Sequence, residues 1–131
     1  MFGKKRKRVL VADDDADILK ILIANLRAEG FEVDAVGNGL EAQARAIRTL
    51  PDLIILDVSM PGRDGLDVLA ALRARPDTRD IPVVLLTARS SDSDIWEGWK
   101  RGAAYYLTKP FETDQLLRFV HSVFEQQRQQ A

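Results

Sequence analysis

The sequence predicts an α/β domain, doubly wound around a single parallel sheet of five strands. Two patterns carry that reading. Short apolar runs of four to six residues alternate with longer segments of helical period, and strict β–α alternation builds parallel sheets with helices on both faces. Four of the runs also end on groups suited to phosphate chemistry: Val9–Ala12 on Asp13-Asp14-Asp15, Leu53–Leu56 on Asp57, Val83–Leu86 on Thr87, and Tyr105–Thr108 on Lys109-Pro110. Parallel strands bring their carboxyl ends to one sheet edge, so these groups are expected to share one shallow site.

The first strand is the Val9–Ala12 run. Ala16–Gly30 then places Ile18, Leu22 and Leu26 on one face, flanked by Leu19 and Ile23, and Gly30 supplies a C-terminal stop. Phe31–Val36 alternates apolar with polar residues, as a half-buried strand does. Asn38 is placed to cap a helix that runs to about Thr49, and Pro51 stops it. Leu53–Val58 is unbroken and apolar, the pattern of a central strand covered on both faces. Gly65–Arg75 carries Leu66, Val68, Leu69 and Leu72 and is closed by Pro76. Pro82–Thr87 is another buried strand. Asp92–Arg101 is helical and ends at Gly102, Ala104–Thr108 is the fifth strand, and Thr113 to about Gln127 is the last helix. On the fourth helix Trp99 is expected to pack toward the core and Trp96 to be the more exposed. Five such units suit the flavodoxin-like strand order 2-1-3-4-5, whose ligand crevice lies at the switch between strands 1 and 3. Asp13, Asp14 and Asp57 flank that crevice, so topology and chemistry point to the same place.

Composition narrows the function classes. The chain has 131 residues, 46% hydrophobic and 30% charged, which fits one soluble globular domain with a core of its own. A net charge of −1 argues against a dedicated nucleic-acid surface. The absence of cysteine removes disulfides, thiolate catalysis and Cys-bound metals, and it fits a reducing cytoplasm. No apolar stretch approaches the ~18 residues of a membrane span. The basic run Lys4–Arg8 leads into four apolar residues and then three aspartates, which leaves no secretory apolar region. It reads as a solvated lead-in over residues 1–7, ahead of a domain over 8–125 and a polar tail over 126–131.

Two adjacent carboxylates facing a third are costly when nothing neutralises them. Unit charges about 4 Å apart repel by on the order of 4 kcal/mol at an effective dielectric near 20. An all-oxygen site without histidine or cysteine favours Mg²⁺ or Mn²⁺ over zinc. Aspartate can also attack phosphorus and become an aspartyl phosphate. Phosphoryl transfer needs positioning and charge stabilisation, which a lysine, a hydroxyl and a metal supply together. Lys109 precedes Pro110, where a cis bond would aim the lysine back over the sheet edge.

The series Val9–Asp15, Asp57-Val58-Ser59-Met60-Pro61-Gly62-Arg63-Asp64-Gly65, Thr87-Ala88 and Lys109-Pro110-Phe111 resembles the receiver domain of bacterial two-component response regulators. The resemblance covers residues 8 to about 125. It implies that Asp57 takes a phosphoryl group from a histidine kinase or a histidine phosphotransfer protein. It also implies that Mg²⁺ is held by Asp13, Asp14, the Asp57 carboxylate and the backbone carbonyl of Ser59. Lys109 would contact the phosphoryl group, Thr87 would swing toward it, and Tyr106 would turn inward behind that hydroxyl. Partners would be met on the face of the fourth helix, fifth strand and last helix.

Other readings of single residues stand beside this one. Asp15 reads as a helix cap or turn residue. His121 on the last helix reads as solvent-facing rather than as a phosphocarrier. Asp13-Asp14-Asp15 also fits the nucleophile motif of haloacid-dehalogenase-type phosphatases, with Asp13 attacking and Asp15 acting as acid, although this leaves the Asp57–Pro61 run unexplained. An unphosphorylated scaffold receiver is a further alternative. Ala104, Tyr105, Gln115 and Phe119 replace the charged positions of the commonest dimerising receivers, so the face is aromatic and polar and suits a heterologous partner. The segment after the last helix is the glutamine-rich Gln126–Gln130, and both a stand-alone receiver and a module of a longer chain fit it.

Overall fold

Strands and helices alternate along the computed structural model, which describes residues 6–88 and 92–130. The order is β1 (Arg8–Ala12), α1 (Ala16–Ala28), β2 (Glu32–Val36), α2 (Gly39–Thr49), β3 (Leu53–Asp57), α3 (Gly65–Arg73), β4 (Val83–Thr87), α4 (Asp92–Lys100), β5 (Tyr105–Thr108) and α5 (Thr113–Gln130). All four strand pairings are parallel and the sheet order is β2-β1-β3-β4-β5. The flavodoxin-like expectation is met strand for strand.

Side-chain alternation splits the core into two layers. Leu10, Ala12, Ile54, Leu56, Val83 and Leu85 face α2 and α3, where Ala42, Ala46, Val68, Leu69 and Leu72 cover them. Val9, Val11, Leu53, Ile55, Val84 and Leu86 face α1 and α5, where Leu22, Leu26, Leu116, Val120 and Val123 close the second layer. Every residue of β3 and β4 is buried, which is why those runs carry no polar alternation. Each fully buried leucine or isoleucine contributes ~1.5–3 kcal/mol relative to exposure. That core fixes the sheet edge on which the site is built.

Helix starts follow the capping residues. Asp15 accepts from the amides of Asp17 and Ile18 at 2.9 and 3.4 Å, Asn38 from Glu41 at 2.8 Å, and Asp64 from Leu66 at 2.8 Å. Most ends fall within one or two residues of the expected ones. The last helix runs on to Gln130, because neither glycine nor proline interrupts a stretch rich in glutamine and arginine. Lys4 and Lys5 of the basic lead-in lie outside the described residues. Lys7 and Arg8 are part of the fold: the Lys7 ammonium lies 5.8 Å from the Phe124 ring, and the Arg8 amide donates to Asp52 at 2.8 Å. His121 is exposed as expected, with Nε2 2.7 Å from Glu29 Oε1. No described helix is long and apolar enough to cross a membrane.

One expectation is corrected. Trp99 does not pack into the core; it is 45% exposed, against 65% for Trp96. The cause is Gly98, which α4 turns toward the sheet instead. A Cβ on Gly98 would lie 2.8 Å from Tyr106 Cδ2 and 3.0 Å from Leu85 Cδ1, so the helix comes close only because that side chain is absent. One residue of helix is about 100° of rotation, which carries Trp99 off the buried line.

Candidate functional site

The carboxyl ends of β1, β3 and β5 meet around a pair of buried acids. Asp13 follows β1, and its amide still pairs with the Val36 carbonyl at 3.2 Å, so its backbone continues the strand pairing. It is fully buried, and its Oδ1 accepts the Asp15 amide at 2.9 Å. Asp57 closes β3 and is 3% exposed. Its Oδ1 accepts the Ser59 amide at 3.3 Å and its Oδ2 accepts from Lys109 Nζ at 3.2 Å. Lys109 Nζ also stands 2.7 Å from the buried Asp13 Oδ2. One ammonium therefore bridges both buried acids.

Lys109 reaches the two acids from the loop after β5, where the Lys109–Pro110 bond is cis and the Lys109 amide donates to the Thr87 carbonyl at 2.7 Å. Thr87 ends β4 opposite Thr108 and is fully buried. Tyr106, paired in register with Leu85, is half-buried against the α2–α3 layer and beside Gly98 of α4. Asp14 is exposed at the mouth. Carboxylate oxygens of Asp13, Asp14 and Asp57 all lie within 4.8 Å of one another. The structure thus brings together Asp13, Asp14, Asp57 and Lys109, sets Thr87 and the Ser59 loop at the border, and keeps Tyr106 one layer back.

Electrostatics follow from that crowding. Burial, and then the charge of Asp13, push the Asp57 carboxyl up from about 3.8 to about 6, against the opposing pull of Lys109 and the Ser59 amide. Burial opposes the charge on Lys109, but Asp13 and Asp57 together outweigh it and hold the ammonium above its ordinary value. One ammonium shared by two buried carboxylates, with a third at the mouth, leaves a deficit of positive charge. The three converging carboxylates, an all-oxygen donor set, fit a hard divalent cation.

A family model described as the response regulator receiver domain matches residues 9–121. The chain belongs to the response regulator receiver domain family. Members are phosphoacceptor signalling domains, and this receiver is one by fold and by sequence. It is 40% identical over 116 residues to the phosphate regulon transcriptional regulatory protein PhoB of Rhizobium meliloti, covering 88% of this chain and 51% of that protein. It is 45% identical over 121 residues to the transcriptional regulatory protein PrrA of Mycobacterium tuberculosis, covering 92% of this chain and 51% of that one. The chain therefore spans about half the length of these curated relatives. Among solved structures, the chemotaxis response regulator CheY4 of Vibrio cholerae superposes with a TM-score of 0.85 at 33% identity, covering 91% of this chain and 99% of that one.

The phosphatase reading of Asp13-Asp14-Asp15 falls with the same observations. Asp15, its required acid, is spent as the cap of α1. Sequence reasoning missed a small apolar pocket of about 190 Å³ beside the acid edge, lined by Ile18, Ile21, Pro110 and Phe111 next to Lys109. The available signal was Ile21, an isoleucine off the buried stripe of α1 and 47% exposed.

Proposed function

We propose that Asp57 is the phosphoacceptor of this receiver and that Asp13 and Asp14, with the Asp57 carboxylate and the Ser59 carbonyl, hold Mg²⁺ or Mn²⁺. The observation that carries it is the shared lysine: Lys109 alone neutralises two buried carboxylates that a third faces within 4.8 Å. In the reaction an oxygen of Asp57 attacks phosphorus, the bond from phosphorus to a donor histidine nitrogen breaks, and the leaving imidazole takes up a proton. Asp57 must be ionised to attack, and a value of about 6 leaves it mostly carboxylate at neutral pH. When bound, the cation supplies positive charge for the phosphoryl oxygens. Lys109 and Thr87 meet the remaining oxygens, and Tyr106 follows Thr87 inward. Turnover is limited to taking up the group and slowly releasing it.

The donor is a histidine kinase or a histidine phosphotransfer protein in the cytoplasm. The Ile18–Ile21 and Pro110–Phe111 pocket beside Lys109 suits its apolar docking. Output is read on the α4–β5–α5 face, where Trp96 and Trp99 are exposed and Tyr105 stacks on Phe119 with centroids 4.3 Å apart. No contact with nucleic acid or membrane is proposed for this domain itself. Labelling with acetyl phosphate and Mg²⁺ tests the assignment. Wild type should acquire hydroxylamine-labile phosphate, and both Asp57→Asn and omission of the cation should abolish it. Full labelling of Asp57→Asn would overturn the assignment.

A further inference from the structure

The loop after Asp57 packs directly against the start of α2. The Gly39 amide donates to the Pro61 carbonyl at 3.1 Å. Gly62, at φ +84°, lies beside Leu40 and Asn38. Gly39 itself is the most restricted point. A Cβ there would sit 1.9 Å from the Arg63 carbonyl oxygen, 2.7 Å from its carbon and 2.8 Å from the Arg63 Cβ. Non-bonded atoms do not approach within 3.0 Å of a real Cβ, so any other residue forces the loop off the helix. Glycine in a helix is otherwise a poorer choice than alanine. The loop accounts for it, and helix formation does not.

Resting on the metal reading above, we infer that Gly39 is a positioning residue for the cation: the first turn of α2 is the mould that sets the Ser59 segment against Asp57. Hydrogen bonds hold this loop at both ends. At its start the Val58 amide bonds the Leu86 carbonyl of β4 at 2.9 Å and the Ser59 amide bonds Asp57 Oδ1 at 3.3 Å; at its end the amide of Gly65, the first residue of α3, bonds the Val58 carbonyl at 2.7 Å. Between those two ends, the Gly39–Pro61 bond ties the loop to α2. Contacts of this outer kind orient a ligand without touching the ion. The coupling is reciprocal: if α2 holds the loop for the cation, the cation must hold the loop on α2.

Mg²⁺ titrated calorimetrically into the unphosphorylated protein tests this with two variants. Gly39→Ala should bind Mg²⁺ at least about tenfold more weakly than wild type. Ala46→Gly loosens the same helix at a buried position away from the loop; it should melt lower yet bind Mg²⁺ as wild type does. Wild-type affinity in Gly39→Ala overturns the inference, and so does equal weakening in Ala46→Gly, since the loss would then track helix stability. If Gly39→Ala does not fold, amide exchange in the wild type decides. Mg²⁺ should slow exchange of the Gly39 amide relative to the Ala42 amide, which bonds the Asn38 carbonyl within the helix; unchanged relative protection overturns the inference. Wild type that binds no Mg²⁺ removes the metal reading as well, whereas wild-type binding with an unaffected variant removes the role of Gly39 alone.

Discussion

The acid edge of β1 and β3 and the flank formed by α4 are held by different forces. At the edge, charge is confined: Asp13 and Asp57 are buried, and one ammonium at 2.7 and 3.2 Å serves both. At the flank, α4 rests on Leu85 and Tyr106 through the bare backbone of Gly98 and leaves two indoles exposed. Guanidinium groups tie the end of that flank to α3. Arg101 Nη1 donates to the Leu66 carbonyl at 3.2 Å, and Arg73, on α3, donates to the Gly102 carbonyl at 2.9 Å. A change of charge acts on the edge at once, but the flank answers only to a change of shape. Thr87 and Tyr106 lie between them, and the pairing of β4 with β5 sets their relative height. That division suits a molecule whose input is electrostatic and whose output is a surface.

The sharpest way to break this comparison is to remove the shared ammonium. Lys109→Met leaves two buried carboxylates facing each other, and losing one partner of such a cluster costs about 3 kcal/mol or more. Chemical denaturation at neutral pH without divalent cation should show that loss. Mg²⁺ should restore more stability to Lys109→Met than it adds to wild type. A variant as stable as wild type without Mg²⁺ would mean that charge is not what holds the edge.

The second test is pH. The Asp57 carboxyl is raised from about 3.8 to about 6 in the folded protein, so the fold binds that proton more tightly than the unfolded chain does. The contribution to stability is therefore fully present below pH 3.8 and is lost as pH rises through about 6. It amounts to about 3 kcal/mol between those limits. Wild type without Mg²⁺ should lose that much relative to Asp57→Asn on going from pH 4 to pH 7.5. Mg²⁺ should flatten the difference, since a bound cation favours the carboxylate. Parallel profiles for the two proteins would contradict the burial-driven shift.

The edge was more legible in the sequence than the flank, for a physical reason. Asp13, Asp57, Thr87 and Lys109 each end a β-strand run, and parallel strands convert sequence position directly into position on the sheet edge. Asp15 was legible too, because capping is a local interaction. The flank depends on how one helix rotates against its neighbours. Spacing placed Trp96 and Trp99 on adjoining parts of one face but carried no signal of how that face is turned. The decisive residue was Gly98, which adds nothing to a hydrophobic stripe but alone allows α4 to approach Tyr106. The contact of Gly39 with Arg63 was hidden for the same reason: a close approach of backbones leaves no trace in side-chain periodicity.

Gly98 also supplies the smallest expected effect and the cleanest separation of the two regions. Gly98→Ala improves helix propensity by about 1 kcal/mol but puts a methyl group within 3.0 Å of Leu85 and of the Tyr106 ring. Overpacking of that kind costs about 1–3 kcal/mol, so the net loss should be about 1 kcal/mol. Nothing at the acid edge touches Gly98, so Mg²⁺ should bind as it does to wild type. What should fall is the response of the flank. Beryllofluoride, standing in for the phosphoryl group on Asp57, should change tryptophan fluorescence in wild type, because Trp96 and Trp99 ride on the helix that Tyr106 supports. In Gly98→Ala the ring is already displaced by the new methyl, so the change should be smaller at equal beryllofluoride occupancy. A full response would show that Tyr106 reaches its alternative packing without using the space beside Gly98. A loss of Mg²⁺ affinity as large as that of an edge variant would show that the two regions share one set of forces after all.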